Sequence, residues 1–308
     1  MIAVGGENLI DFVQTAGEGL PSYTANPGGS PYNCAIALAR QGAEVGYMTP
    51  VSTDALGGLL AGRLEADGVA LLAGRSEKPT SLAVVSLEDG IPTYAFHRSG
   101  TAERQVDLAL LEAMTPDGLD VFHVGGLAVA DGADADAWQA YFSACAARGV
   151  CTSLDPNVRA SLIADRAGYM ARMERLLASA HVLKLSDEDL LWMYPEADLD
   201  AAIDVLRGKT GAALVVVTLG PDGAIGFAGS HRVAIPAAPV ESLIDTVGAG
   251  DTFMATLLAQ ISREGMLGSD ALGAMSTDDL ERLLKTASQA AAINCTRSGC
   301  NPPFLSEL

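Results

Sequence analysis

The chain has 308 residues, 49% of them hydrophobic and only 5% aromatic, so Ala, Val, Leu and Gly must fill a sizeable core and general disorder is excluded. Its 19 basic residues stand against 38 acidic ones, a formal net charge of −19 with no basic run, which argues against nucleic acid and anionic membranes as partners. A small anionic ligand such as a nucleotide stays compatible, because helix ends, a few placed cations and a divalent metal can hold it locally.

Residues Ile2 to Val4 predict a short strand that stops at Gly5-Gly6, with Glu7, Asn8 and Asp11 directly after it. Such strand ends are where open α/β sheets hold ligands. The start lacks a basic n-region and meets Glu7 too early for a signal peptide, and no apolar run approaches membrane length. Five cysteines, Cys34, Cys145, Cys151, Cys295 and Cys300, show no C-x-x-C spacing and fit a reducing cytoplasm, the expected location.

Val13 to Thr24 is polar and Gly-rich; Pro27-Gly28-Gly29-Ser30 then leads into a helix over Tyr32 to Arg40 that carries Asn33 in its first turn. A strand from Val45 to Thr49 and a helix from about Asp54 to Ala66 begin a strand–helix alternation. Ser81 to Arg98 breaks it, because two strand-like runs flank Glu88-Asp89-Gly90 and predict a hairpin. Inserted into a βαβ chain, that hairpin has no helix over its second face and suits a lid over a ligand or an edge for dimerisation.

Alternation resumes with a strand over Asp120 to Val124, a helix from about Ala135 to Arg148, and a strand over Cys151 to Leu154 that ends in Asp155-Pro156-Asn157-Val158-Arg159. The strand His181 to Leu185 ends in Ser186-Asp187-Glu188-Asp189, and Ala213 to Thr218 closes at Leu219 to Gly223. Ala224 to Ile235 reads as a hairpin turning at Gly229-Ser230, and Thr277 to Asn294 as a long final helix. Without a dividing linker or a fixed repeat, residues 1–308 read as one domain.

Ile244 to Ile261 concentrates the chemistry. Asp245 and Asp251 flank Gly248-Ala249-Gly250, and Phe253, Met254, Leu257, Leu258 and Ile261 form one helical stripe. A helix beginning at these glycines points free N–H groups and its positive end at whatever lies above the turn, a ready anion site. Asp251, in the first turn, is placed to take a proton from a group held beside the anion, and the helix end should lower its pKa. An anion cradle beside a fixed carboxylate suggests phosphoryl transfer. There is no G-x-x-x-x-G-K-[ST] and no G-x-G-x-x-G after the first strand, and His97, His123, His181 and His231 lack ligand spacing.

The run D-T-V-G-A-G-D-T-F resembles the second signature of the ribokinase-like (PfkB) carbohydrate kinases. Gly28-Gly29 with Asn33 resembles that family's sugar-binding segment, and V-T-L-G-P-D-G its nucleotide-site strand and turn. GGENLIDF, FHRSGTAE, DPNVR and CTRSGCNPP look most similar to bacterial fructokinases and their near relatives. The resemblance implies an α/β three-layer sandwich with a mostly parallel central sheet and a small β-sheet lid near 12–27 and 80–100. It also implies ATP as donor, Mg²⁺ as helper, K⁺ as a candidate activator, and a candidate homodimer formed through the lid.

Residue by residue, the resemblance implies Asp251 as base and Gly248, Ala249 and Gly250 as anion hole. It places Asp11, Gly28, Gly29, Asn33, Arg98 and Arg159 at the substrate, and Lys184, Ser186, Thr218, Gly220, Gly223 and Asn294 on the nucleotide side. Asp189 and Glu188 would meet the metal, through water, and Asp245 is either a monovalent-cation ligand or a hydrogen-bonded loop acid. The family's N-x-x-E motif is altered here: Ser186 stands for Asn and Asp189 for Glu. Fructose is the first expected substrate. Another ketose, 2-keto-3-deoxygluconate or a sugar phosphate (with Arg98, Arg104 and Arg159 as its cations) is the alternative, and a sugar sensor without turnover is the reading from another class.

Overall fold

The runs that read as strands are apolar on both sides. Ile2–Gly5, Val121–Gly125 and Cys151–Asp155 are buried at every position, as parallel strands covered on both faces must be. The computed structural model describes residues 1–15, 20–88 and 91–308. Among them nine strands form one sheet, in the order His231–Ile235, Ala224–Ala228, Leu214–Thr218, Val182–Ser186, Cys151–Asp155, Val121–Gly125, Ile2–Gly5, Val45–Tyr47 and Ala70–Leu71. Neighbours run parallel except where the Ala224–Ala228 and His231–Ile235 hairpin closes one side.

Helices cover both faces, which makes the expected three layers. Ser30–Arg40, Ala55–Ala66, Ala249–Arg263 and Thr277–Cys295 pack through Leu38, Leu60, Leu257 and Leu284 on one face. Gly132–Ala147, Arg166–Ser179, Asp187–Met193 and Leu199–Lys209 pack through Trp138, Leu176, Leu190 and Leu206 on the other. A capping box of Ser276 and Asp279 starts the final helix where its sequence predicts. No helix among the described residues is long and apolar enough to cross a membrane.

Parallel strands bring their carboxyl ends to one edge. Gly125 pairs with Asp155 and Ser186 with Thr218, so the polar loops after these strands lie side by side. Next to Gly5, the chain leaves the large sheet to build a second, four-stranded one in the order Ser22–Gly28, Leu9–Thr15, Ser81–Glu88 and Ile91–His97. Leu9, Ala83 and Leu127, with Phe96 and Leu162, join it to the larger body.

The Ser81–Glu88 and Ile91–His97 pairing matches the predicted hairpin, whose Asp89-Gly90 lies outside the described residues. The Leu9–Thr15 and Ser22–Gly28 pair falls where the family resemblance implied a lid segment near 12–27, although the polar, Pro- and Gly-containing stretch gave no strand signal of its own; residues 16–19 also lie outside the described residues. Ser22–Gly28 is an edge strand, and an edge tolerates Pro27 because one of its sides needs no ladder.

Candidate active site

Asp251 sits in the first turn of the Ala249–Arg263 helix and is 7% exposed. The helix starts from Gly248 at φ 77°, and a Cβ there would lie 2.3 Å from Cys300 Sγ, so both backbone and space require glycine. By helix geometry the N–H groups of Gly250 and Asp251 have no intrahelical acceptor, which leaves an anion-binding end beside the carboxylate. Both carboxylate oxygens are engaged from one neighbouring helix: Ser30 Oγ donates to Oδ1 at 2.7 Å and Asn33 Nδ2 to Oδ2 at 2.9 Å. Asn33 Oδ1 is buried without a partner in the protein.

The expectation that the helix end lowers the Asp251 pKa is corrected by the structure. Burial is the largest influence and holds the pKa above the ordinary carboxylate value, although the Ser30 and Asn33 hydrogen bonds and the Lys184 charge pull it down. Desolvation outweighs the two donors and the Lys184 charge, so the carboxylate holds a proton more readily than an exposed aspartate.

Lys184 places a buried cation at the anion turn. Its Nζ donates to Asp155 Oδ2 at 2.9 Å, and it stands 3.0 Å from where a Cβ on Gly250 would be, directly behind the anion turn. Burial favours the neutral amine, but Asp155, Asp189 and Asp251 outweigh it and hold the pKa above the ordinary lysine value. Asp155 Oδ1 is buried and unpartnered, so this corner has acceptor capacity left for a water or a ligand.

On the opposite side of Asp251 lie the first strand and the small sheet. Asp11 Oδ2 would be 2.3 Å from a Cβ on Gly28, so the glycine is what lets the Asp11 carboxylate lie across that strand. Burial pushes the Asp11 pKa up to about 6, against the pull of the Arg159 guanidinium. Arg159, on the exposed loop after Cys151–Asp155, bonds within that loop to Asn157 and faces the Asp11 side. Arg98, expected at the substrate, is buried, with Nε 2.7 Å from Glu103 Oε1 and Nη2 3.3 Å from the Leu127 carbonyl. Arg104 is likewise held by Asp134 and Asp131.

Glu7, beside Arg98, is buried, and its pKa is pushed up to about 7 by desolvation. Its carboxylate accepts from the Ser30 N–H at 3.0 Å and the Leu127 N–H at 2.9 Å.

Toward the nucleotide-side residues, Thr218 ends its strand, and Gly220 and Gly223 bound a turn packed on Pro236 and Ala237. Behind that turn is a cavity of about 650 Å³ between Pro236–Pro239 and the final helix at Ser288, Ala292 and Thr296. No motif announced it, because prolines and alanines of one segment meet Lys285, Ser288, Gln289, Ala292 and Thr296 of a distant helix only in the fold.

Ser186 and Asp189 form a capping box on the Asp187–Met193 helix, and Asp189 Oδ1 also accepts from the Val158 N–H at 2.8 Å. Ser186 and Asp189, standing for Asn and Glu, thus serve as the start of that helix, with Glu188 exposed next to it. Among the described residues no three His, Cys, Asp or Glu side chains are grouped to hold a metal directly.

Asn294, expected on the nucleotide side, has its contacts within the protein. It is fully buried, its Nδ2 donates to the Val247 carbonyl at 2.8 Å, and its Oδ1 accepts from the Asn301 N–H at 2.8 Å, so it braces the anion turn against the C-terminal segment. Asp245 accepts from the Val247 and Gly299 N–H groups, the geometry of the hydrogen-bonded loop acid.

Comparison with known proteins gives the family and the fold. The model of the pfkB family carbohydrate kinases matches residues 1–307. A fructokinase of Rhizobium leguminosarum bv. trifolii is 36% identical over 271 residues, 87% of this chain and 81% of the relative. Among solved structures, fructokinase from Xylella fastidiosa with bound ATP superposes with a TM-score of 0.89 at 26% identity, covering 99% of this chain and 96% of that one. A double mutant of fructokinase from Vibrio cholerae, holding fructose, ADP and a potassium ion, shares the fold at 24% identity and a TM-score of 0.82, covering 97% of this chain and 93% of that one.

Proposed function

Because the chain belongs to the pfkB family of carbohydrate kinases, we propose that it moves the γ-phosphoryl group of ATP to a hydroxyl of fructose. The observation that carries this reading is Asp251, locked by Ser30 and Asn33 beside the Gly248–Gly250 helix start. The sugar oxygen attacks the γ-phosphorus, the bond to the bridging oxygen of ADP breaks, and the hydroxyl proton passes to Asp251. Such a transition state is loose, so alignment and charge stabilisation matter more than base strength. The N–H groups at Gly250 and Asp251 and the Lys184 ammonium face the negative charge that develops.

Asp11, Gly28, Gly29 and Asn33 form the sugar end in this reading, with the orphaned Asn33 Oδ1 accepting from a sugar hydroxyl. The cavity at Pro236–Pro239 takes the nucleotide base. Thr218, Gly220, Gly223 and Ser186 flank the phosphates, and Mg²⁺ bound to them meets Asp189 and Glu188 through water. K⁺ at the Asp245 loop, the small sheet as lid and dimer surface, and a cytoplasmic location belong to the same proposal. A sugar-phosphate substrate is less well served, since Arg98 and Arg104 are neutralised by Glu103, Asp131 and Asp134 and leave Arg159 alone for a second phosphate.

The test is ATP consumption, followed as ADP release, across ketoses, aldoses, sugar acids and sugar phosphates. Fructose is expected to give the highest kcat/KM. A preference for 2-keto-3-deoxygluconate or a sugar phosphate overturns the substrate, and sugar binding without ADP release overturns turnover itself.

A further inference from the structure

The sequence gives Ser30 no assigned role, yet it makes the shortest contact to the Asp251 carboxylate, 2.7 Å from its Oγ to Oδ1. The two residues are 221 positions apart and meet because the Ser30–Arg40 and Ala249–Arg263 helices pack side by side at their starts. Ser30 is the first residue of its helix, so its N–H has no intrahelical acceptor. Glu7 Oε1 supplies one at 3.0 Å, from the end of the first strand. A continuous line therefore runs from the first strand through the Ser30 backbone and hydroxyl to the carboxylate.

We propose that Ser30, anchored by Glu7, is a positioning residue that fixes the plane of the Asp251 carboxylate and keeps it ionised for proton abstraction. Asn33 holds Oδ2 alone and would let the group rotate about that one contact; a second donor on Oδ1 removes the rotation and leaves the remaining lone pairs aimed outward. With both donors on one helical turn, the base has a single orientation when the sugar arrives. The other polar and titratable groups that bear on Asp251 are Asn33 and Cys34 on the same helix as Ser30, Asp155 and Lys184 at the strand ends, and Cys300 on the C-terminal segment. Of these only Asn33 and Lys184 favour the anion, so loss of the Ser30 hydroxyl is not made good by a neighbour.

This role rests on Asp251 being the base, and the experiment separates the two. The kcat of the wild-type enzyme, Ser30→Ala, Ser30→Cys and Asp251→Asn is measured against pH at saturating ATP and sugar, with thermal melts as a check on folding. Ser30→Ala is expected to move the acidic limb upward by about one pH unit, because the anion loses a donor in a dry site. Its plateau kcat falls while KM for ATP holds. Ser30→Cys, similar in size but a weak donor, is expected to behave the same way and carries the test if the alanine variant does not fold. An acidic limb that coincides with the wild type in the folded variants overturns the role of Ser30. Near-normal turnover in Asp251→Asn overturns the base instead, whatever Ser30 does.

Discussion

Lys184 Nζ and Asp155 Oδ2 stand 2.9 Å apart with side chains only 6% and 2% exposed, and the ammonium backs onto Gly250 of the anion turn. Removing one member of such a pair strands the other charge in a dry site, which costs about 3–5 kcal/mol. Lys184→Met is expected to lose that much stability in chemical denaturation, and its kcat should fall because no cation remains behind the turn. Lys184→Met combined with Asp155→Leu should regain most of the stability and none of the rate. Full activity in the double variant would show the pair to be structural only.

Asp251→Asn keeps the size and both hydrogen-bonding neighbours but cannot accept the proton. A positioned base contributes about 10²–10⁴-fold. The variant should lose at least about 10²-fold in kcat while KM for ATP stays near the wild-type value, read by coupled ADP release.

Asp11 ties sugar binding to pH. Its pKa of about 6 is above the ordinary carboxylate value, so it is ionised at neutral pH and gains a proton as the pH falls through about 6. A hydrogen bond to a charged acceptor is worth about 1.5–3 kcal/mol against about 0.5–1.5 for a neutral one. KM for the sugar should therefore rise about 5- to 10-fold below pH 6. Asp11→Asn should show a raised KM with that step gone; the same step in the variant would assign it to another group.

The site was legible where chemistry is local and hidden where it is tertiary. Gly248, Ala249, Gly250 and Asp251 are adjacent in the chain, so a turn, a helix start and an acid can be read together. Ser30 and Glu7 act across long separations, and no spacing rule links a first-turn serine to an acid 221 residues later. The partners of Arg98 and Asn294 were hidden for the same reason: Glu103 and the Val247 and Asn301 backbone reach them only once the chain is folded. The alternation of apolar strands and helices exposed the large sheet, whereas the strand at Ser22–Gly28 was implied only by the family's lid and not by its own residues, because Pro27 and Gly28 speak against a central strand and not against an edge.

Glu7 makes stability depend on pH. Its folded pKa of about 7 lies above the ordinary 4.5, so the folded state binds the extra proton between these values. The stabilising contribution of Glu7 is fully present below about 4.5 and is lost as the pH rises through about 7. Over that window it should shrink by about 3 kcal/mol. The difference in unfolding free energy between the wild type and Glu7→Ala should narrow by that order from pH 4.5 to 8. A difference that is flat with pH would mean that Arg98 keeps Glu7 charged throughout.

The cavity at Pro236–Pro239 offers a way to perturb one substrate alone. Its walls are the Pro236–Pro239 segment on one side and Ser288, Ala292 and Thr296 of the final helix on the other, and Ala292 is 9% exposed. A phenyl ring in place of the Ala292 methyl would occupy the space assigned to the nucleotide base without approaching the Ser30, Asn33 and Asp251 contacts. Overpacking costs about 1–3 kcal/mol, which here should fall on the bound ligand because the cavity itself can take the ring. Ala292→Phe is expected to raise KM for ATP by about 5- to 150-fold with little change in sugar KM or in thermal midpoint. Isothermal titration with ADP separates the alternatives. Unchanged ADP affinity would place the base outside this cavity, and a loss shared equally by sugar and nucleotide would mean that the ring had displaced the final helix and, through Asn294, the anion turn.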